Sequence, residues 1–303
     1  MPKITKFIFL TVLLISVTAF QQEEQQSEIK ILREKIKNQF SGLEGDFAFA
    51  FVNLSDPGQK ILINSDENFH AASTMKTPVM IEIFGQAREG RFKLTDSVTV
   101  KNEFRSIVDG STYSMDIGED SGDALYSKID KKVTVYDLMY DMITVSSNLA
   151  TNILIELVNA RKVTERMREL GAKDIQVLRG VEDIKAYRKG LNNTTTAMDL
   201  MIIMQAIATN KAGSEKDCQA MIRILKDQKF NDMIPKYLPK NVQVAHKTGS
   251  ITGVHHDSGI IFLPDGKKYI LVILSKNLKD SDKATDEMAK ISKEVYDFII
   301  NAN

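Results

Sequence analysis

The sequence predicts an α+β fold of the α/β-sandwich type: an antiparallel, five-stranded sheet assembled from both chain ends, flanking helices, and an inserted all-helical lobe. Three observations predict it. β-rich runs lie near the two ends, "DFAFAFVNL" and "QKILINS" early, "NVQVAHKTG", "SGIIFLP" and "KKYILVILS" late. The stretch between them is dominated by helical periodicity. Amphipathic helix patterns precede the first strand and follow the last.

Taken in order, the first twenty residues read as a leader. "MPKITK" is basic, "FIFLTVLLISVTAF" is apolar and "QQEEQQSE" turns polar, which is the three-part layout of a secretory signal peptide. The apolar run is shorter than the roughly 20 residues of a spanning helix, and Val17-Thr18-Ala19 offers a small-residue cleavage site. No Cys adjoins the run to take a lipid. The mature chain, residues 21–303, is expected as a single domain in the periplasm or outside the cell, with no stable membrane insertion.

A helix pattern over 24–40 carries Ile29, Leu32 and Ile36 on one stripe, and "SDPGQ" turns the hairpin that follows. Helical patterns then run through "TPVMIEIFGQARE", "TVYDLMYDMI", "NLATNILIELV", "VTERMREL" and "TTTAMDLMIIMQAIA", the last with a Thr-rich cap. "PDGKK" turns between the last two strands, and "ATDEMAKISKEVYDFIIN" closes the chain. The α/β lobe is expected over about 24–83 and 213–303, and the helical lobe over about 84–212.

Composition narrows the function. The chain is 43% hydrophobic and 26% charged, an ordinary globular balance. Lys plus Arg and Asp plus Glu are both 40, so nothing argues for nucleic acid or an anionic membrane as partner. Cys218 is the single cysteine, which excludes an internal disulfide.

Ser73 and Lys76 stand three apart in "FHAASTMKTPVM". If a helix begins at Ser73, Lys76 lies about one turn on, on the same face. A Ser hydroxyl attacks well only once a base takes its proton, and a desolvated Lys beside another cation can be that base. The N–H groups of the helix start can stabilise an oxyanion. The same pair is also what a helix cap followed by a surface Lys looks like, and chance supplies it about once in a chain of this size.

Two further motifs follow in order. "MITVSSNLATNIL" puts Ser146 and Asn148 at a helix start, facing one cleft, with Leu149, Ile153 and Leu154 buried. "AHKTGSITG" puts Lys247, Thr248 and Gly249 at the end of a β-rich run. Together these residues resemble the serine penicillin-recognising family, most closely the class A β-lactamases, whose set is S-x-x-K, S-D-N and K-T-G. The resemblance covers roughly Glu24 to the C-terminus and implies a β-lactamase/transpeptidase-like fold. It implies Ser73 as acylated nucleophile, Lys76 as its proton partner and Ser146 as proton donor to the leaving nitrogen. By the same likeness Asn148 would hold the substrate's side-chain amide, Lys247 and Thr248 its carboxylate, and the N–H groups of Ser73 and Ser250 the oxyanion.

In that family a Glu before the Thr-rich helix activates the deacylating water. "VLRGVEDIKAYRKGLNNTTTAMDL" matches the loop in position, with Glu182 the first candidate and Asp183 the next; a plain ion pair of Glu182 with Arg179 or Arg188 is the alternative. The family's Asn four residues on corresponds to Ala186, and Asn192 or Asn193 could approach instead. Ser147 stands where class A enzymes usually have Asp. No Arg follows the third motif, and His255 and His256 are the candidates to take its place. His255, His256 and Asp257 could also be metal ligands, but adjacent strand residues point to opposite faces, so no metal or other cofactor is expected. The long segment 102–132 either roofs the cleft, with Phe104 or Tyr113 as an aromatic wall, or is a solvated excursion. His70 and His246 read as packing or hydrogen-bonding residues beside their motifs. The expected activity is hydrolysis of a β-lactam by a monomer. The alternatives are a D,D-peptidase acting on peptidoglycan stem peptides, and a non-enzymatic wall-binding protein that keeps the cleft.

Overall fold

The computed structural model describes residues 27–301; the expected leader, residues 1–20, lies outside the described residues. Helix α1 (27–41) buries Ile29, Leu32, Ile36 and Phe40. Strands β1 (Asp46–Asn53) and β2 (Lys60–Ile63) form the early hairpin. Helix α2 (Lys76–Arg88) is followed by α3 (Val135–Thr144), α4 (Asn148–Val158), α5 (Ala160–Glu169), the short α6 (Ile184–Arg188), α7 (Ala197–Ala208) and α8 (Glu215–Lys226). Strands β3 (Gln243–Ile251), β4 (Val254–Phe262) and β5 (Lys268–Lys276) and helix α9 (Ser281–Asn301) complete the chain. The five strands make one sheet in the order β2-β1-β5-β4-β3, antiparallel at every pairing.

The alternation of side chains along each strand divides the core in two. Phe47, Phe49 and Phe51 of β1, with Tyr269, Leu271 and Ile273 of β5, face α1 and α9. Ala48, Ala50 and Val52, with Ile270, Val272 and Leu274, face the helical lobe. Small residues on that face let α7 lie close over β1 and β5. Helix α2 is buried on almost every side. Its one buried acid, Glu82, is paired with Arg166 of α5 at 2.6 Å.

Two boundaries differ from the sequence reading. The α-helix does not begin at Ser73: a 3-10 turn over Ala72–Met75 carries Ser73, and α2 starts at Lys76. Strand β4 begins at Val254, before the apolar run, because the polar residues His255 to Ser258 find hydrogen-bond partners within the strand's surroundings. Helix α8, closed by a Ser214/Asp217 capping box, was not among the sequence-predicted elements. Among the described residues, no helix is long and apolar enough to cross a membrane.

Candidate active site

Ser73 sits where the 3-10 turn meets the outer edge of the sheet. The turn is tied down by Thr74 N donating to Ala71 O (3.1 Å) and Ala71 N donating to Asn193 O (2.8 Å). Below it, Lys76 is fully buried. Its ammonium donates to Ser146 O (2.7 Å), Ser146 Oγ (3.1 Å) and Asn148 Oδ1 (2.9 Å). Burial pulls its pKa down to about 7 against the opposing charges of Asp120 and Glu182, the range in which a Lys exchanges protons at neutral pH.

Ser146 lies between two ammoniums. Lys247, also fully buried, donates to Ser146 Oγ (3.2 Å) and Thr248 O (2.8 Å). Burial, with the neighbouring Lys76, holds Lys247 well below its usual pKa, and the Asp257 charge resists this. A hydroxyl that accepts from cations on this side presents its own proton on the other, as a proton relay requires. Lys247, expected from the family likeness to meet a substrate carboxylate, thus also contacts Ser146.

The third wall is strand β3. His255 donates its N–H to Ser275 Oγ (3.1 Å), toward β5. Ser250, directly opposite His255 on β3, therefore turns its N–H away from β4, to the sheet's outer edge. That edge runs along the Ser73 turn so closely that a Cβ on Gly249 would stand 3.0 Å from both Ser73 N and Thr74 N. The N–H of Ser250 and the turn's own N–H groups thus border one space.

Glu182 closes the site from the loop. Its carboxylate accepts from Asn148 Nδ2 (3.0 Å) and Asp116 N (3.3 Å). Burial raises its pKa, the two hydrogen bonds oppose that, and the Asp120 and Glu119 charges add to the rise. The alternative of an ion pair with Arg179 or Arg188 is not what forms: the Arg179 guanidinium donates to Leu191 O, Gly180 O and Asn192 Oδ1. Asp183 is a structural acid, bound by Ser106 Oγ, Ile107 N and Ala186 N. Asn193 does not hold a group beside Glu182 either, since its amide ties Leu178 N, Arg179 N and Arg179 O. Eight non-glycine residues among those described have positive φ; all are Asn or Asp except Ala72, Ser146 and Glu182. Asn and Asp tolerate that conformation, so the costly cases gather at this site.

Neither His255 nor His256 replaces the missing Arg. His255 Nδ1 lies 2.6 Å from Thr285 Oγ1 of α9, on the far face. His256 donates to His70 O (2.9 Å) and accepts from Ser275 N (3.1 Å), with its pKa lowered to about 4 by burial. Asp257 turns to His246 (2.9 Å), so the three side chains diverge and make no common metal site. Phe104 and Tyr113 are not a cleft wall: they pack together at 5.9 Å, and Tyr113 donates to Val181 O (3.3 Å), bracing the Glu182 loop from behind.

Ser73, Asn148, Glu182, Ser250 and Asn193 line a cleft of about 300 Å³, together with His70, Arg179 and Tyr187. A profile of the beta-lactamase enzyme family matches residues 30–299. The chain belongs to that family. It is 23% identical to the extended-spectrum beta-lactamase PER-1 of Pseudomonas aeruginosa over 298 residues, covering 95% of this chain and 92% of the relative. The crystal structure of a beta-lactamase from Sphaerobacter thermophilus is similar with a TM-score of 0.75 at 26% identity, over 90% of this chain and 96% of that one. The structure of PBP-A is similar with a TM-score of 0.76 at 25% identity, over 89% and 96%. The fold is that of the family, and the protein is a hydrolase of β-lactamase type.

The sequence reading missed Tyr187 and Asp120 and gave His70 and Asn193 other roles. His70 and Tyr187 face each other at 6.3 Å across the cleft rim, and Asn193 fixes the loop to the Ser73 turn. Asp120, on the long segment, accepts hydrogen bonds at the start of α4. For His70 the signal was its place beside the Ser73 motif; no local spacing marked Tyr187 or Asp120.

Proposed function

We propose that the protein is a secreted serine β-lactamase that opens the lactam amide through an acyl-enzyme on Ser73 and releases the product with water activated by Glu182. The observation that supports this most is that Ser73 and Glu182 line one cleft above a Lys76 poised near neutral pKa. Ser73 Oγ attacks the lactam carbonyl carbon as its proton passes to neutral Lys76. The developing oxyanion meets the N–H groups of Ser73 and Ser250. The C–N bond breaks as Ser146 gives its proton to the nitrogen, and Lys76 passes the proton it took from Ser73 to Ser146. Glu182 then takes a proton from water, the hydroxide adds to the ester carbon, and the ester C–O bond breaks as the proton held by Glu182 returns to Ser73 Oγ, leaving Glu182 a carboxylate again. Thr248, Ser250 and Lys247 receive the substrate carboxylate, and Asn148 Nδ2 turns from Glu182 to a substrate amide. Residues 1–20 direct export and are removed.

A second reading, a D,D-peptidase that deacylates slowly on β-lactams, draws on the likeness to PBP-A and on Ala186, which brings no amide to the water beside Glu182. Intact-mass spectrometry with penicillin G separates the two. Rapid turnover with no lasting adduct supports the β-lactamase, and a persistent adduct supports the peptidase. Glu182→Gln should trap the adduct, and Ser73→Ala should form none. If Glu182→Gln turns over like the parent, the assignment of the water-activating residue is wrong. Export is checked by the mass of the mature chain.

A further inference from the structure

The start of α4 carries the Ser146 and Asn148 side chains, and its free N–H groups need an anionic partner. The residue at the cap is Ser147, whose Oγ accepts from Ala150 N (3.2 Å) and brings no charge. The charge arrives from elsewhere. Asp120, 7% exposed, accepts from Asn148 N (2.9 Å) and Gly122 N (2.8 Å) through Oδ1, and from Leu149 N (2.8 Å) and Tyr126 Oη (3.2 Å) through Oδ2, with Ser147 Oγ at 3.5 Å. Gly122 follows it so tightly that a Cβ there would fall 2.4 Å from Ser147 Cβ. The long segment and the helix start are therefore one packed unit.

We propose that Asp120 is a positioning residue for acylation, a carboxylate supplied by the long segment in place of an acid at position 147, which holds Ser146 and Asn148 on Lys76 and keeps a negative charge beside the buried ammonium pair. The proposal rests on Ser73 acylation as read above. Lys76 bonds to Ser146 and Asn148, so a helix start that drifts takes two of its acceptor residues away. The charged groups facing the ammoniums are Asp120 from the segment, Glu182 from the loop and Asp257 from β4. Around Asp120 itself stand Lys76 and Tyr126, whose ionisation is suppressed first by burial and then by Asp120, Glu182 and Asp116. Asp120 opposes the desolvation that lowers the Lys76 pKa; without it Lys76 sheds its proton at lower pH still.

The test is Asp120→Asn, Ser147→Asp and the double variant, each assayed with penicillin G from pH 5 to 9. The readout is the second-order acylation rate, taken as kcat/KM where turnover is fast and as adduct formation by intact mass where it is slow. Asp120→Asn should lose roughly 10- to 100-fold, the worth of one or two charge-assisted hydrogen bonds, and its acid limb should move to lower pH. Ser147→Asp alone sets a second carboxylate against Asp120 and should also be slowed. The double variant returns a single carboxylate to the same helix start and should recover both rate and limb. Asp120→Asn with the parent's rate and pH profile overturns the proposal. A double variant that folds without recovering also overturns it, since the proposal asks only for one carboxylate at this helix start. If Ser73 is not the nucleophile, Ser73→Ala acylates like the parent, an outcome distinct from these.

Discussion

Gly249→Ala tests whether strand β3 and the Ser73 turn act as one clamp. The glycine has no positive φ to lose, so the cost is contact alone. An added Cβ meets Ser73 N and Thr74 N at 3.0 Å and Thr74 Cγ2 at 3.1 Å; ordinary contact begins near ~3.4 Å, so strand and turn must part by ~0.4 Å. The turn cannot give, because Thr74 is bonded twice to Ala71 O and Met75 behind it is fully buried. The displacement falls on β3, an edge strand paired on one side only, and carries the Ser250 N–H outward. Losing one oxyanion donor outright costs about 10²–10³ in rate. A donor moved by a few tenths of an ångström should cost about 10-fold or more in kcat/KM, with a stability loss of about 1–3 kcal/mol from overpacking. Steady-state kinetics with penicillin G and thermal unfolding read the two effects separately. An alanine variant that acylates at the parental rate would refute the clamp.

Acylation should lose its rate as pH falls below about 7, approaching tenfold per unit, because Lys76 gains a proton there and has no lone pair left for Ser73; a kcat/KM profile flat from pH 5 to 8 would exclude Lys76 as the base. The same lowered pKa means that the folded state releases a proton the unfolded chain keeps. This group therefore makes stability rise with pH from about 7 toward the ordinary value of 10.5, which urea titrations across that range can follow. Arg166→Ala leaves Glu82, 2% exposed in its side chain, with the Gln86 amide in place of a cation and should cost about 3 kcal/mol, read from the denaturant midpoint. Ser146→Ala removes the relay between the two ammoniums and should slow acylation by about 10²–10⁴, with its unfolding midpoint close to the parent's.

The residues that short spacing brings together were legible. Ser73 and Lys76 are neighbours through one turn, Ser146 and Asn148 through one helix start, and Lys247 to Ser250 through one strand. Glu182 was expected from loop position, and it lines the same cleft as Ser73. The geometry around Asp120 was not legible, because it caps a helix that begins 28 positions later and a long-range cap leaves no pattern in a window. What could have been seen was half of it: an uncharged Ser147 in one place and the acidic "DIGEDSGD" in another. The histidines misled for a different reason. Their place after the third motif suggested a carboxylate partner, but the pleat sends His255 toward α9 while His256 turns inward to His70 O. The helix start at Ser73 was displaced because Ala72 adopts φ 44°, which opens a tight turn where a regular helix would need φ below zero.

The pairing of β1 with β5 sets Phe51 against Leu271, and the sheet's two flanking helices come from opposite chain ends. During synthesis the edge hairpin β1–β2 must wait for nearly the whole polypeptide before its inner strand finds its second neighbour, β5. Contacts this distant in sequence make folding slow, so the nascent chain stays open until its last strands emerge.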